Sequence, residues 1–137
     1  MKTKKRILVA PLNWGIGHAT RCIPLINALI SHNYEVVIAA DGRPLHLLIT
    51  EFPDLEIVRF SGYNIKYSKY VPMSVSMLLQ LPKLLWNIKK EHETLNQIID
   101  DYKIDGVISD NRFGLFTTKV PTVFITHQLE IKSPYFI

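Results

Sequence analysis

Cysteine is almost missing from this chain. Cys22 stands alone, so no internal disulfide can form and the sequence fits a reducing compartment. Charge is scarce too. Only 20% of the 137 residues are charged against 47% apolar, which describes a globular chain rather than a disordered one, a single domain with room for one core. No run approaches the roughly 18 apolar residues that a membrane-spanning helix needs. The basic start from Met1 to Arg6 imitates the head of a signal peptide, but the apolar run behind it breaks at Pro11 and Asn13 without a small-residue cleavage site. Repeats and low-complexity tracts are absent. The expectation is a cytoplasmic protein that at most touches a membrane from its inner face. A net charge of +4 and a pI near 9.2 favour phosphates, nucleotides or an anionic membrane as partners. The excess is too small to argue for nucleic acid, and no RNA-binding signature accompanies the aromatics.

What is present has a clear grammar. Ile7 to Ala10 is a short, wholly apolar run that reads as a strand buried on both faces. A turn with Pro11, Asn13, Gly15 and Gly17 follows, then a helix starting near His18 or Ala19 and ending about Ser31, with Ile23, Ile26, Leu29 and Ile30 on one face. Glu35 to Ala40 is a second strand, Asp41-Gly42 a turn, and Arg43 to Glu51 a short helix. Leu55 to Phe60 alternates as a third strand, and its charges Glu56 and Arg59 place it toward a sheet edge. Ser61 to Ser76 lacks a period and reads as a long loop. From Met77 through Leu81, Leu84, Leu85, Ile88, His92, Leu95 and Ile99 to Tyr102, helical spacing returns, with Pro82 in the first turn or at a kink. Asp105 to Ser109 and Thr122 to Thr126 complete five strands.

Strands and helices alternating in this way predict an α/β fold: an open parallel, Rossmann-like sheet of order 3-2-1-4-5 with helices on both faces. That order brings the loops after strands 1, 4 and 5 to one sheet edge, where ligands bind. Asn13, Gly15, Gly17, His18, Asp110, Asn111, Arg112, His127 and Gln128 are therefore the candidate site residues. Glycines let a ligand approach the backbone, and the first N–H groups of the helix have no internal partners, so the turn suits a phosphate. His18 at its mouth can donate or accept a proton near neutral pH. Gly15-x-Gly17 with Asp41 after strand 2 also partly matches the dinucleotide fingerprint, although Thr20 stands where its third glycine belongs. Cys22 lies among apolar neighbours and reads as core.

Between Tyr63 and Lys90, tyrosines, methionines, leucines and Trp86 interleave with Lys66, Lys69, Lys83, Lys89 and Lys90. Such a mixture can dock on anionic lipid, and it can equally be a core helix with a solvated basic face.

Val9-Ala-Pro-Leu-Asn-Trp-Gly-Ile-Gly-His-Ala-Thr-Arg21, followed by Pro24 and the helix Leu25 to Ile30, resembles the opening of GT-B glycosyltransferases. The group it most resembles includes the N-acetylglucosaminyltransferase of lipid-linked peptidoglycan precursor synthesis, although only two glycines precede His18 where that enzyme has a fuller run. Val107 to Asn111 and Phe124 to Gln128 fall where such proteins carry their fourth- and fifth-strand loops. The resemblance implies a nucleotide-sugar donor, usually a UDP-sugar, an acceptor hydroxyl held by the N-terminal domain, and no metal or nicotinamide. It implies His18 as the group nearest the chemistry, as base for the acceptor, and the aromatic–basic region as the membrane-facing acceptor side. Residues 1–137 would then be one Rossmann-like domain, the acceptor-side half of the architecture, inactive without a donor domain. A non-catalytic nucleotide-binding module, a nicotinamide oxidoreductase and a UDP-sugar epimerase domain are the alternatives.

Overall fold

A computed structural model describes residues 3–13, 15–61, 70–112 and 114–126. Its elements are β1 (Arg6–Pro11), α1 (Gly17–Ser31), β2 (Glu35–Ala40), α2 (Gly42–Glu51), β3 (Glu56–Arg59), α3 (Met73–Tyr102), β4 (Gly106–Asp110) and β5 (Thr122–Ile125). All strand pairs are parallel and the order is β3-β2-β1-β4-β5, as the alternation predicts. β3 lies at an edge with Glu56 and Arg59 exposed.

The two-residue period of the strands sorts their side chains into two cores. Leu8, Ala10, Val37, Ala39 and Val107 face Leu95, Ile98 and Ile99 of α3. Val9, Val36, Ile38 and Ala40 face Ala19, Cys22 and Ile26 of α1 and Leu45 and Leu48 of α2. Each large side chain buried this way contributes about 1.5–3 kcal/mol, and strands covered on both faces must be apolar throughout.

Helix boundaries differ most from expectation. α1 starts at Gly17, because the Thr20 N–H already closes a turn on the Ile16 carbonyl at 2.9 Å, and Ile30 in its last turn is exposed. It stops where Asn33 turns left-handed with φ 67°, a conformation that asparagine tolerates. α3 starts at Met73, so the helix takes in residues read above as loop, and Pro82 lies well inside it. Met77, Leu81 and Leu85, expected on the buried face, are exposed, as are Val75, Leu78, Leu79 and Trp86. Length explains this. Thirty helical residues span about 45 Å, whereas strands of four to six residues span only about 13–20 Å. Only the C-terminal half of α3 can cover the sheet.

Candidate functional site

The β1–α1 turn leaves the carboxyl edge of the sheet beside the ends of β2 and β4. Gly15 has φ +68° and therefore needs glycine. Gly17 has no such backbone need, and a Cβ at either position would meet nothing within 4 Å among the described residues. The chain itself gives no reason for glycine at 17, and what the missing side chain leaves is open approach to the first turn of α1. No acidic residue occupies that turn, so its N–H groups keep their partial positive charge for an anion.

His18 is buried within the same turn, with about a tenth of its side chain exposed. Its Nδ1 lies 3.0 Å from Asp110 Oδ2 at the last position of β4. The strand register explains the meeting: Asp110 pairs with Pro11, so the end of β4 stands beside the start of the glycine turn on the α1 face. Arg21, one helical turn after His18, places Nη2 2.7 Å from the same Nδ1 and 3.6 Å from Asp110 Oδ1. One nitrogen cannot donate to the carboxylate and accept from the guanidinium. We assign the proton to Nδ1, donating to Asp110. The carboxylate is only 3% exposed, and a buried charge without a donor is costly. Asp110 Oδ1 has no hydrogen-bond partner among the described residues, and the half-exposed Arg21 needs to swing only a few tenths of an ångström to serve it. With Nδ1 protonated, Nε2 is the basic nitrogen.

Cys22 sits behind this group. Burial pushes its thiol up to about 12, helped by the Asp110 charge and opposed by Arg21. It is a packing residue. Among the described residues no three or more His, Cys, Asp or Glu gather as a metal site would require.

The other candidates go elsewhere. Arg112 is 2% exposed and turned to the α3 face: Nε donates to Glu91 Oε1 at 3.0 Å, Nη2 donates to the same oxygen, Nη1 donates to the Phe60 carbonyl at 3.2 Å, and the guanidinium lies over the Phe60 ring. Its charge is committed to tying β4 to α3, across the sheet from His18. Asn111 is buried and left-handed, with φ 61°. Its N–H donates to the Ile125 carbonyl at 2.9 Å and its Oδ1 accepts from Thr126 Oγ1 at 3.3 Å, which joins the ends of β4 and β5. Asn13 leans over the neighbouring turn, where a Cβ on Gly42 would come within 3.2 Å of its Nδ2. His127 and Gln128 lie outside the described residues. Asp110, expected to touch substrate, instead stands behind His18. Two residues escaped sequence reasoning: Arg21, detectable as the i+3 neighbour of His18, and Glu91, for which pattern offered no signal.

The structure is a Rossmann-like parallel sheet that carries a glycine turn, an imidazole and a buried carboxylate at its carboxyl edge. A family model described as "Glycosyl transferase family 1" matches residues 5–131, and the chain belongs to that family. Solved structures with the same fold are GT-B glycosyltransferases. MurG from Acinetobacter baumannii is 13% identical with a TM-score of 0.58 over 89% of this chain and 34% of its own. SnogD from Streptomyces nogalater is 18% identical with a TM-score of 0.54 over 90% and 36%. UGT73P12 from Glycyrrhiza uralensis, complexed with glycyrrhetinic acid 3-O-monoglucuronide, is 13% identical with a TM-score of 0.51 over 79% and 24%. The chain thus spans between 24% and 36% of these proteins. A search of curated protein sequences finds no match. The peptidoglycan-type enzyme is one of several structural neighbours and is not singled out.

Proposed function

We propose that this chain is the acceptor-side domain of an enzyme that transfers a sugar from a nucleotide-sugar, a UDP-sugar in the first instance, to an acceptor hydroxyl. The observation that carries the reading is the His18–Asp110 pair at the mouth of the glycine turn. The acceptor oxygen attacks the anomeric carbon, the bond from that carbon to the phosphate oxygen breaks, and the nucleoside diphosphate leaves with the electron pair. His18 Nε2 takes the hydroxyl proton. The imidazolium so formed is held against the buried Asp110 carboxylate, which turns an awkward buried anion into one half of an ion pair. Gly15, Gly17 and the first turn of α1 give the departing diphosphate, or an acceptor phosphate, its approach to backbone N–H groups. In this reading transfer needs both reactants held together in a closed cleft, to which a donor-binding domain contributes the other wall.

The acceptor in this reading is lipid-linked, and within the region from Tyr63 to Lys90 the exposed face of α3 meets the membrane; Tyr63 to Lys69 lie outside the described residues. Support comes from the exposed apolar side chains of α3 interleaved with Lys83, Lys89 and Lys90. No helix among the described residues is long and apolar enough to cross a membrane. The test is acceptor-dependent release of nucleoside diphosphate from a panel of UDP-, GDP- and dTDP-sugars by the protein encoded in the complete reading frame. Release from one of these donors is expected. Donor binding without release would replace the reading with a nucleotide-binding module.

A further inference from the structure

The His18–Asp110 pair by itself makes a poor base. A buried carboxylate beside an imidazole favours the doubly protonated ring, because an ion pair satisfies the carboxylate better than a neutral donor does. An imidazolium has no nitrogen left to take a proton. A general base has to be neutral when the acceptor arrives and become charged only as the proton moves. Some neighbouring charge has to hold the ring on the neutral side.

The charged and titratable groups recorded against this pair come from two elements. β4 contributes Asp110 itself. α1 contributes Arg21 and Cys22, and burial pushes the Cys22 thiol up to about 12, so that it stays uncharged. Arg21 is the cation among them. Its guanidinium reaches both members of the pair: Nη2 lies 2.7 Å from His18 Nδ1 and 3.6 Å from Asp110 Oδ1. Beside the ring it repels a second positive charge. Beside the carboxylate it supplies the counter-charge that the ring would otherwise have to supply. The side chains of Asp110 and His18 are 4% and 10% exposed, that of Arg21 46%. The cation therefore keeps much of its hydration while the pair that it governs is buried.

We propose that Arg21 is a positioning residue for the transfer: by neutralising Asp110 it keeps the His18 ring uncharged, with the proton on Nδ1 and Nε2 able to take the proton of the acceptor hydroxyl. In this role it acts through Asp110 and the ring, and touches neither sugar nor acceptor. The inference rests on the reading of His18 as base, and its test reads the ring without turnover, so the two can fail separately. The measurement is long-range proton–nitrogen correlation NMR of the 137-residue chain, isotopically labelled in its histidines, at neutral pH. The His18 ring is assigned by its absence from His18→Gln. Wild type should show a protonated Nδ1 and an unprotonated Nε2. In Arg21→Ala the ratio of neutral to doubly protonated ring should fall about tenfold, the low end for a neighbouring unit charge because Arg21 is half exposed. Arg21→Lys, which restores the charge, should recover most of that ratio, a rescue that a purely structural arginine would not show. Position 21 is exposed on a helix, where alanine and lysine are both good residues, so the variants keep the fold. A wild-type ring with its proton on Nε2, a ratio unchanged in Arg21→Ala, or an Arg21→Lys chain indistinguishable from Arg21→Ala would each overturn the proposal.

Discussion

Removing the Glu91 carboxylate should unfold a substantial part of this domain's stability margin. Arg112 is essentially without solvent, and of its three recorded side-chain hydrogen bonds two go to Glu91 and one to the Phe60 carbonyl. Glu91→Ala leaves the guanidinium buried with that single carbonyl and the Phe60 ring. Breaking a buried ion pair from one side costs about 3–5 kcal/mol, against a total of about 5–15 kcal/mol for a domain. Replacing both partners by apolar residues, Glu91→Leu with Arg112→Met, removes both charges together and should recover most of the loss, short of the unpaired Phe60 carbonyl at about 1–3 kcal/mol. Urea unfolding followed by circular dichroism reads both. With a slope of about 1–3 kcal/mol per molar urea, the single variant should move the midpoint down by about 1 M or more. A single variant that loses less than about 1 kcal/mol would refute the structural role of Arg112 and return it to the ligand-binding candidates, as would a double variant that loses the sum of the two singles.

Gly17→Ala should leave urea stability unchanged or slightly raised, because the position has ordinary φ, empty surroundings and lies in a helix. In the complete enzyme the same change should raise KM for the donor or acceptor several-fold; an unchanged KM would remove the glycine turn from the site. Cys22 should resist iodoacetamide at pH 8 in the folded chain and react after unfolding, since burial holds its thiol near 12. The unfolded thiol ionises near the ordinary 9.0 and the folded one at about 12, so stability should fall as pH rises from about 9 to 12. Cys22→Ala should remove that part of the pH dependence, and if it does not, another group is responsible.

The sheet was readable because its strands are short apolar runs closed by turn residues, and because a parallel sheet admits few connections. Even β2 from Glu35 to Ala40 and the edge position of β3 follow from those patterns. The start and burial of α3 were not readable: helical spacing shows that residues share a face, and says nothing of how much of that face the sheet is long enough to reach. The site was half legible. Topology places Asp110 beside His18, but strict alternation would also put Arg112 on Asp110's side. Left-handed Asn111 breaks the alternation and sends Arg112 to the opposite face. An asparagine after a strand announces that a turn can occur without announcing its hand.

The central claim is that His18, held by the buried carboxylate of Asp110, takes the acceptor proton. Its most direct test is the transfer rate of the protein from the complete reading frame, compared among wild type, His18→Ala and Asp110→Asn. Loss of a general base predicts a fall in kcat of about 10²–10⁴-fold for His18→Ala, with a smaller fall for Asp110→Asn and donor KM close to wild type in both. A kcat within about threefold of wild type for His18→Ala would contradict the account and move the proton acceptor elsewhere.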